Sequence, residues 1–381
     1  MRSAATGQRP SAIPGYEDWP AYVRRAGRHA CHSGPAQELA EVLGVPAAPP
    51  PPQVSTDWEK ADDGVTTSQL SWQLGFGPRT RAWLIRPADT ASLLPGVLAL
   101  HCHGGSKFGG ADRLVHLPDN HPSAVASRTR HYDGRPLATD LARRGFAVLA
   151  HDTFGWGSRR FNLTSPPRRT AEAVEARHAQ WREAGVAPSE EAAYDAAASA
   201  HEDTIAKAAG LIGTSFAGTV AHDDLAALEI LATLPGVDPA RLGCLGFSGG
   251  GGRSLVLAAL SPRVRSYVVS CMMTTFEALF PAYLDEHSWL LETPGLWSLC
   301  DWPEITEIPG AASFLVQYAM DDELFPESGM LGADLALRSL HRSGAYRGSF
   351  WPGRHEFTAE MQAEAAAFLR SSLASSATSL R

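Results

Sequence analysis

The chain has 381 residues, 44% hydrophobic and 19% charged, enough for a large buried core in one big α/β domain or two smaller ones. Acid and base are interspersed at a net charge of −8, which excludes the basic face that a nucleic-acid partner needs. No apolar run approaches the ~20 residues that span a bilayer, and Met1–Pro14 lacks the apolar stretch of a signal peptide. Cys31, Cys102, Cys244, Cys271 and Cys300 are scattered and odd in number, as small core residues in a reducing compartment would be. A cytoplasmic protein with no membrane partner is expected.

Residues 1–15 read as a loose tail, and Tyr16–Leu43 as one or two helices. The proline-rich Pro46–Pro52 is a stiff connector that closes an N-terminal appendage, residues 1–60. Thr66–Leu74 and Thr80–Ile85 flank the turn Gly75-Phe76-Gly77-Pro78 and form a hairpin. Short buried strands follow at Val97–His101, Phe146–Ala150, Leu242–Leu245, Val264–Ser270, Ser313–Tyr318 and Gly348–Trp351. Helices are expected at Leu137–Arg144, Val220–Leu234, Ser254–Leu260 and about Thr358–Leu369, before a frayed tail, 371–381. Continuous apolar strands alternating with helices imply a mostly parallel sheet of about eight strands, covered on both faces. Two stretches, 158–216 and 274–309, are too long for simple connections and are candidate cap or pocket-wall insertions. The second is rich in Phe, Tyr and Trp.

Gly246-Phe247-Ser248-Gly249-Gly250 stands between a strand and a helix. A turn that tight exposes the serine and requires glycine on either side, so Ser248 is a candidate nucleophile. Serine needs a base, and the base needs an orienting acid. On this architecture they follow in the order serine, acid, histidine, each at a strand end. Asp321-Asp322-Glu323 follows one late strand, and Gly353-Arg354-His355 follows the next.

With these features in matching order over residues 60–370, the chain resembles the α/β-hydrolase superfamily, within it the dienelactone-hydrolase-like and acetylxylan-esterase-like group. The resemblance implies an α/β-hydrolase domain over 61–370, with an eight-stranded sheet and helical and aromatic cap insertions. Asp322-Glu323-Leu324-Phe325-Pro326 matches the family context of the acid, which implies Asp322, with Asp321 as the one-residue alternative. Gly353-Arg354-His355-Glu356-Phe357 matches the family histidine and implies His355 as base. Dienelactone hydrolases carry cysteine at the elbow, and Ser248 here favours ordinary ester hydrolysis.

Acyl transfer builds charge on a carbonyl oxygen, which backbone N–H groups must meet. Gly249, after the nucleophile, is one expected donor. His103-Gly104-Gly105 resembles the family's oxyanion signature and implies Gly105, or else Gly104, as the other. Asp152-Thr153-Phe154-Gly155-Trp156-Gly157 resembles a structural family segment.

The expected activity is cofactor-free and metal-free hydrolysis of a small carboxylic ester through an acyl-enzyme. Acyl transfer, peptide cleavage and carbon–carbon hydrolysis run on the same fold and remain alternatives, with a non-catalytic binding module less favoured. A metallohydrolase built on His101, His103, Asp112, His116, His121 and His131 is the other class, and glycines follow His103 at once where further ligands would be needed. The oligomeric state is open, a homodimer included.

Overall fold

The computed structural model describes residues 35–47, 52–90, 92–308 and 312–374. The expected N-terminal tail, most of the Pro46–Pro52 connector and the last seven residues of the C-terminal tail lie outside the described residues. In chain order, α1 (Pro35–Leu43) precedes β1 (Ser55–Asp62), β2 (Val65–Trp72), β3 (Thr80–Pro87) and β4 (Leu94–Leu100). Helices α2 (Pro122–His131) and α3 (Leu137–Arg143) lead to β5 (Ala147–His151). The first insertion forms α4 (Arg168–Glu183) and α5 (Glu190–Leu211), followed by α6 (Phe216–Thr233). Then come β6 (Val237–Phe247), α7 (Gly249–Leu260), β7 (Val264–Ser270), β8 (Ser313–Ala319), α8 (Glu327–Leu340), β9 (Tyr346–Trp351) and α9 (Ala359–Ser372). The second insertion, between β7 and β8, contains only short helical turns.

The sheet has nine strands, not eight, in the order β1-β2-β3-β5-β4-β6-β7-β8-β9. Strands β1 to β3 pair antiparallel, and β5, β4, β6, β7, β8 and β9 run parallel. The additional strand is β1, most of which falls within the stretch expected to be an appendage. Every residue of Ser-Thr-Asp-Trp-Glu-Lys-Ala-Asp in β1 is exposed, so it carries no alternating apolar signal. It is held instead by its ladder to β2 and by Asp57, which accepts from Gln69 and Ser71. Its charges suit an edge strand, where they discourage pairing with another chain. Helix α1 is also built into the body, through the buried Leu39 and Leu43.

Successive strand side chains point to opposite faces. Leu98, Leu100, Leu149 and Val316 enter one core, against Leu228, Leu255 and Leu337 of the helices. Val97, Ala99, Val148 and Leu315 enter the other, against Leu141, Met361 and Leu369. The central strands β4 and β5 are therefore buried and apolar along nearly their whole length, as the continuous runs in the sequence require. Both layers hold the C-terminal strand ends rigidly, and the chemistry-bearing residues sit there.

Candidate active site

Ser248 lies between β6 and α7 at φ 55, ψ −128, a conformation that L-residues rarely adopt. The turn closes because its flanks lack side chains. A Cβ on Gly246 would meet the Gly250 carbonyl at 2.2 Å, and one on Gly250 would meet the Leu100 carbonyl oxygen at 2.1 Å. The Ser248 N–H donates to the Ser270 carbonyl at 2.8 Å, which ties the strained residue to β7.

Three residues from three strand ends meet here. Ser248 Oγ lies 2.8 Å from His355 Nε2, and His355 Nδ1 lies 2.6 Å from Asp322 Oδ2. A carboxylate only accepts, so Nδ1 carries the proton and Nε2 is left to accept from the serine hydroxyl. The other Asp322 oxygen accepts from the Leu324 N–H at 2.9 Å. The Asp322 side chain is fully buried and that of His355 is 13% exposed. Asp321, the alternative acid, accepts from the Gly353 N–H at 3.0 Å and orients the histidine loop instead. Phe247 packs on the His355 ring at 4.8 Å and fixes its plane.

The glycine loop after β4 is held almost atom by atom. The Tyr132 hydroxyl accepts from the Cys102 N–H at 3.0 Å. His103 Nδ1 accepts from the Gly105 N–H at 3.1 Å. Asp195 accepts from the N–H groups of Lys107 and Phe108 at 2.7 and 2.8 Å. Buried Arg113 donates to the carbonyls of Ser106, Gly109 and Gly110. Gly104 and Gly105 have φ of 65 and 60, the left-handed region that glycine allows. Among the described residues the His103 N–H makes no hydrogen bond, and a Cβ built on Gly249 would lie 3.2 Å from that nitrogen. The Gly249 N–H is the first of α7, where no helical acceptor exists. The amides of Gly249 and His103 thus lie close together beside Ser248, and neither donates to another group among the described residues.

Several contributors carry no sequence signal. His103 Nε2 lies 2.6 Å from Glu202 Oε1, and Lys107 Nζ lies 2.5 Å from the same oxygen. Burial alone would raise the Glu202 carboxyl, but the His103 hydrogen bond and the Lys107 ammonium bring it down to about 2. Burial lowers the Lys107 ammonium, against the pull of Glu202. Its Nζ also sits 4.4 Å from the Trp156 ring. Behind the elbow, Arg253 pairs with Asp224 at 2.6 Å and donates to the His101 carbonyl at 3.0 Å, all of it buried. His131 lies beside Gly104 and His355, and burial, with Arg130, Arg113 and His355 nearby, lowers it to about 4.

The histidines of the metal alternative serve other ends. His101 Nδ1 contacts the Cys102 carbonyl at 2.9 Å, and His121 accepts from the Ser123 N–H at the start of α2. No three His, Cys, Asp or Glu side chains among the described residues converge to hold a metal ion. Asp152 accepts from the Ala111 and Ser158 N–H groups, joining two loops. Trp156 is buried, and its Nε1 donates to the His103 carbonyl at 3.3 Å. Of the insertion aromatics, Trp302 and Phe276 are buried in the main core. Trp289 and Leu290 instead join a smaller cluster with Trp156, Phe216 and Ile205. Leu290, Met272, Gly249 and Gly252 line a cavity of about 20 Å³ against the Arg253–Asp224 pair.

Comparison with known proteins finds similarity to esterases and to a hydrolase. Residues 213–284, which span the elbow, match the family model described as acetyl xylan esterase. A Bacillus subtilis (strain 168) protein, YtaP, described as a hydrolase, is 26% identical over 295 residues, covering 76% of this chain and 82% of its own. A structure from Bacteroides fragilis titled as an acetyl xylan esterase superposes with a TM-score of 0.64 at 14% identity, covering 92% of this chain and 84% of that one. A glucuronoyl esterase from Solibacter usitatus gives 0.59 at 14%, covering 88% and 91%. Acetyl xylan esterase 1 from Thermoanaerobacterium gives 0.54 at 17%, covering 93% and 98%. The fold shared with these structures is the α/β-hydrolase fold.

Proposed function

We propose that this chain, an α/β-hydrolase related to the acetyl xylan esterases, hydrolyses short-acyl carboxylic esters through an acyl-enzyme on Ser248. The observation that carries this reading is the continuous relay Ser248–His355–Asp322, at 2.8 and 2.6 Å. His355 takes the hydroxyl proton as Ser248 Oγ attacks the ester carbonyl, and the buried Asp322 carboxylate stabilises the imidazolium that forms. His355 then gives that proton to the leaving alkoxide. Water, deprotonated by the same histidine, attacks the acyl-enzyme, and the acid and free serine are released.

The N–H groups of Gly249 and His103 are the proposed donors to the oxyanion. The Gly105 N–H, expected from the sequence, is occupied by His103 Nδ1. Gly104 and Gly105 provide the left-handed turn that leaves the His103 amide without an internal partner. The short acyl group is proposed from the ester class that the matching family description names. The substrate is a small-molecule ester, and no cofactor or metal enters these steps. A cytoplasmic setting is favoured by Cys102, Cys244, Cys271 and Cys300 being free thiols. Among the described residues, no helix is long and apolar enough to cross a membrane.

The test is a panel of p-nitrophenyl esters from acetate to octanoate, run with the wild-type chain and Ser248→Ala. Acetate should be cleaved best and octanoate poorly, and Ser248→Ala should be inactive throughout. Retention of most activity by Ser248→Ala would remove the proposal.

A further inference from the structure

Helix α5 of the first insertion reaches the glycine loop through two acidic side chains. Helix α5 begins at a Ser189 cap and runs to Leu211. Its Asp195 side chain takes the N–H groups of Lys107 and Phe108. Two turns on, Glu202 takes both His103 Nε2 and the buried Lys107 ammonium. His103 Nδ1 already accepts from the Gly105 N–H, so Nε2 must carry the ring proton, and Glu202 is its acceptor. The ring is therefore clamped at both nitrogens. The residue so clamped is the one whose main-chain N–H has no partner among the described residues and whose nitrogen lies close to Gly249.

We propose that Glu202 is a positioning residue for the oxyanion hole: by holding the His103 ring from α5, it aims the His103 main-chain N–H at the reacting carbonyl oxygen. The insertion is then a working part of the catalytic machinery as well as a cover. The proposal rests on the serine-esterase reading above. Its physical basis is that a hydrogen-bond donor stabilises the transition state only when it is held in place before the charge develops. A shift of about 1 Å in such a donor lowers the rate by roughly a hundredfold.

Three variants and one inhibitor test it. Glu202→Ala removes the acceptor for His103 and the counter-charge of Lys107. Glu202→Gln removes the charge but keeps a carbonyl oxygen for the His103 N–H. With p-nitrophenyl acetate, Glu202→Ala should lower kcat by roughly 10- to 100-fold and leave KM within about threefold. Glu202→Gln should recover most of that loss. Lys107→Met/Glu202→Ala, which leaves no unpaired ammonium, guards against simple misfolding and should stay as slow as Glu202→Ala. The inhibitor is a short alkyl trifluoromethyl ketone. Ser248 Oγ adds to its carbonyl carbon, the oxygen becomes an anion, the proton passes to His355, and nothing leaves. Its binding should weaken across the variants by the same factors as kcat/KM, because both depend on the oxyanion donors.

Equal impairment of Glu202→Gln and Glu202→Ala would overturn the proposal, since the buried charge and not the His103 contact would then matter. So would recovery of kcat in the double variant, or ketone binding that does not follow kcat/KM. Ser248→Ala separates the two levels of the argument. If it is inactive while Glu202→Ala is fully active, only this inference fails. If it is active, the serine-esterase reading fails first.

Discussion

Replacing Gly246 by alanine should break the elbow without touching any group that does chemistry. Gly246 has no positive φ, so alanine meets no backbone penalty there. The obstacle is contact: the new Cβ would stand 2.2 Å from the carbonyl carbon and oxygen of Gly250, where ordinary contact begins at 3.4 Å. The shortfall of about 1 Å falls on backbone at both sides, one at a strand end and one in the first turn of α7, and neither can rotate away as a side chain would. Forced overpacking of this kind costs about 1–3 kcal/mol, and the upper end applies where both partners are main chain. On that basis we expect Tm to fall by roughly 4 °C. The displaced elbow also moves Ser248 Oγ relative to His355, with a loss in kcat of roughly a hundredfold. Thermal melts by circular dichroism and p-nitrophenyl acetate kinetics measure the two effects separately. Gly105→Ala is the contrast: nothing lies within 4 Å of its new Cβ, and only φ 60 opposes it. It should cost about 1–2 kcal/mol. A Gly246→Ala protein with wild-type Tm and kcat would refute the steric account of the elbow.

The two neighbouring acids should separate cleanly: Asp322→Asn should lower kcat by roughly 10³–10⁴-fold, and Asp321→Asn, which loses only a loop contact, by less than about fivefold in the same assay. His131 titrates at about 4 in the folded chain against an ordinary 6.5, so between those values the unfolded chain binds the proton and the folded chain does not. Stability should therefore fall as pH drops from 6.5 to 4, and His131→Gln should flatten that part of a plot of Tm against pH. Glu292 has the opposite sign, since burial, with Asp285 nearby, pushes its carboxyl up to about 7. Above the ordinary 4.5 the unfolded chain ionises first, so Glu292→Gln should raise stability at pH 8 by about 1–2 kcal/mol after solvent screening, and have little effect at pH 4.5, as urea titrations would show. Arg253→Met leaves the buried Asp224 carboxylate with its main counter-charge removed, and urea titration should show a loss of about 3–5 kcal/mol.

The parts of the site that were legible in the sequence are those whose geometry is local. Gly246 and Gly250 are fixed by a single turn, and the loops carrying Asp322 and His355 follow apolar strands whose order was readable. The sequence points to Gly105 as second oxyanion donor, whereas the proposed donor is the His103 amide two residues earlier, because sequence shows which residues are glycine and not which amide is already bonded. Glu202 had no signal at all. In an alanine-rich, charged helix, one glutamate that braces a loop 99 residues earlier looks like any solvated one. Lys107 likewise carries no signal, because its burial depends on Trp156, Phe216 and Glu202 arriving from distant segments. Strand β1 escaped for the reverse reason: it is fully exposed, so burial left no pattern to read, and only its ladder to β2 defines it.

The central claim is that Ser248 is the nucleophile. Incubation of the full chain with a fluorophosphonate, followed by peptide mapping by mass spectrometry, tests it most directly. The phosphorus should be attacked by Ser248 Oγ with loss of fluoride, giving one stoichiometric adduct on the peptide that contains Gly246–Gly250, and none in Ser248→Ala. An adduct on another residue, or full esterase activity after complete labelling of Ser248, would contradict the account.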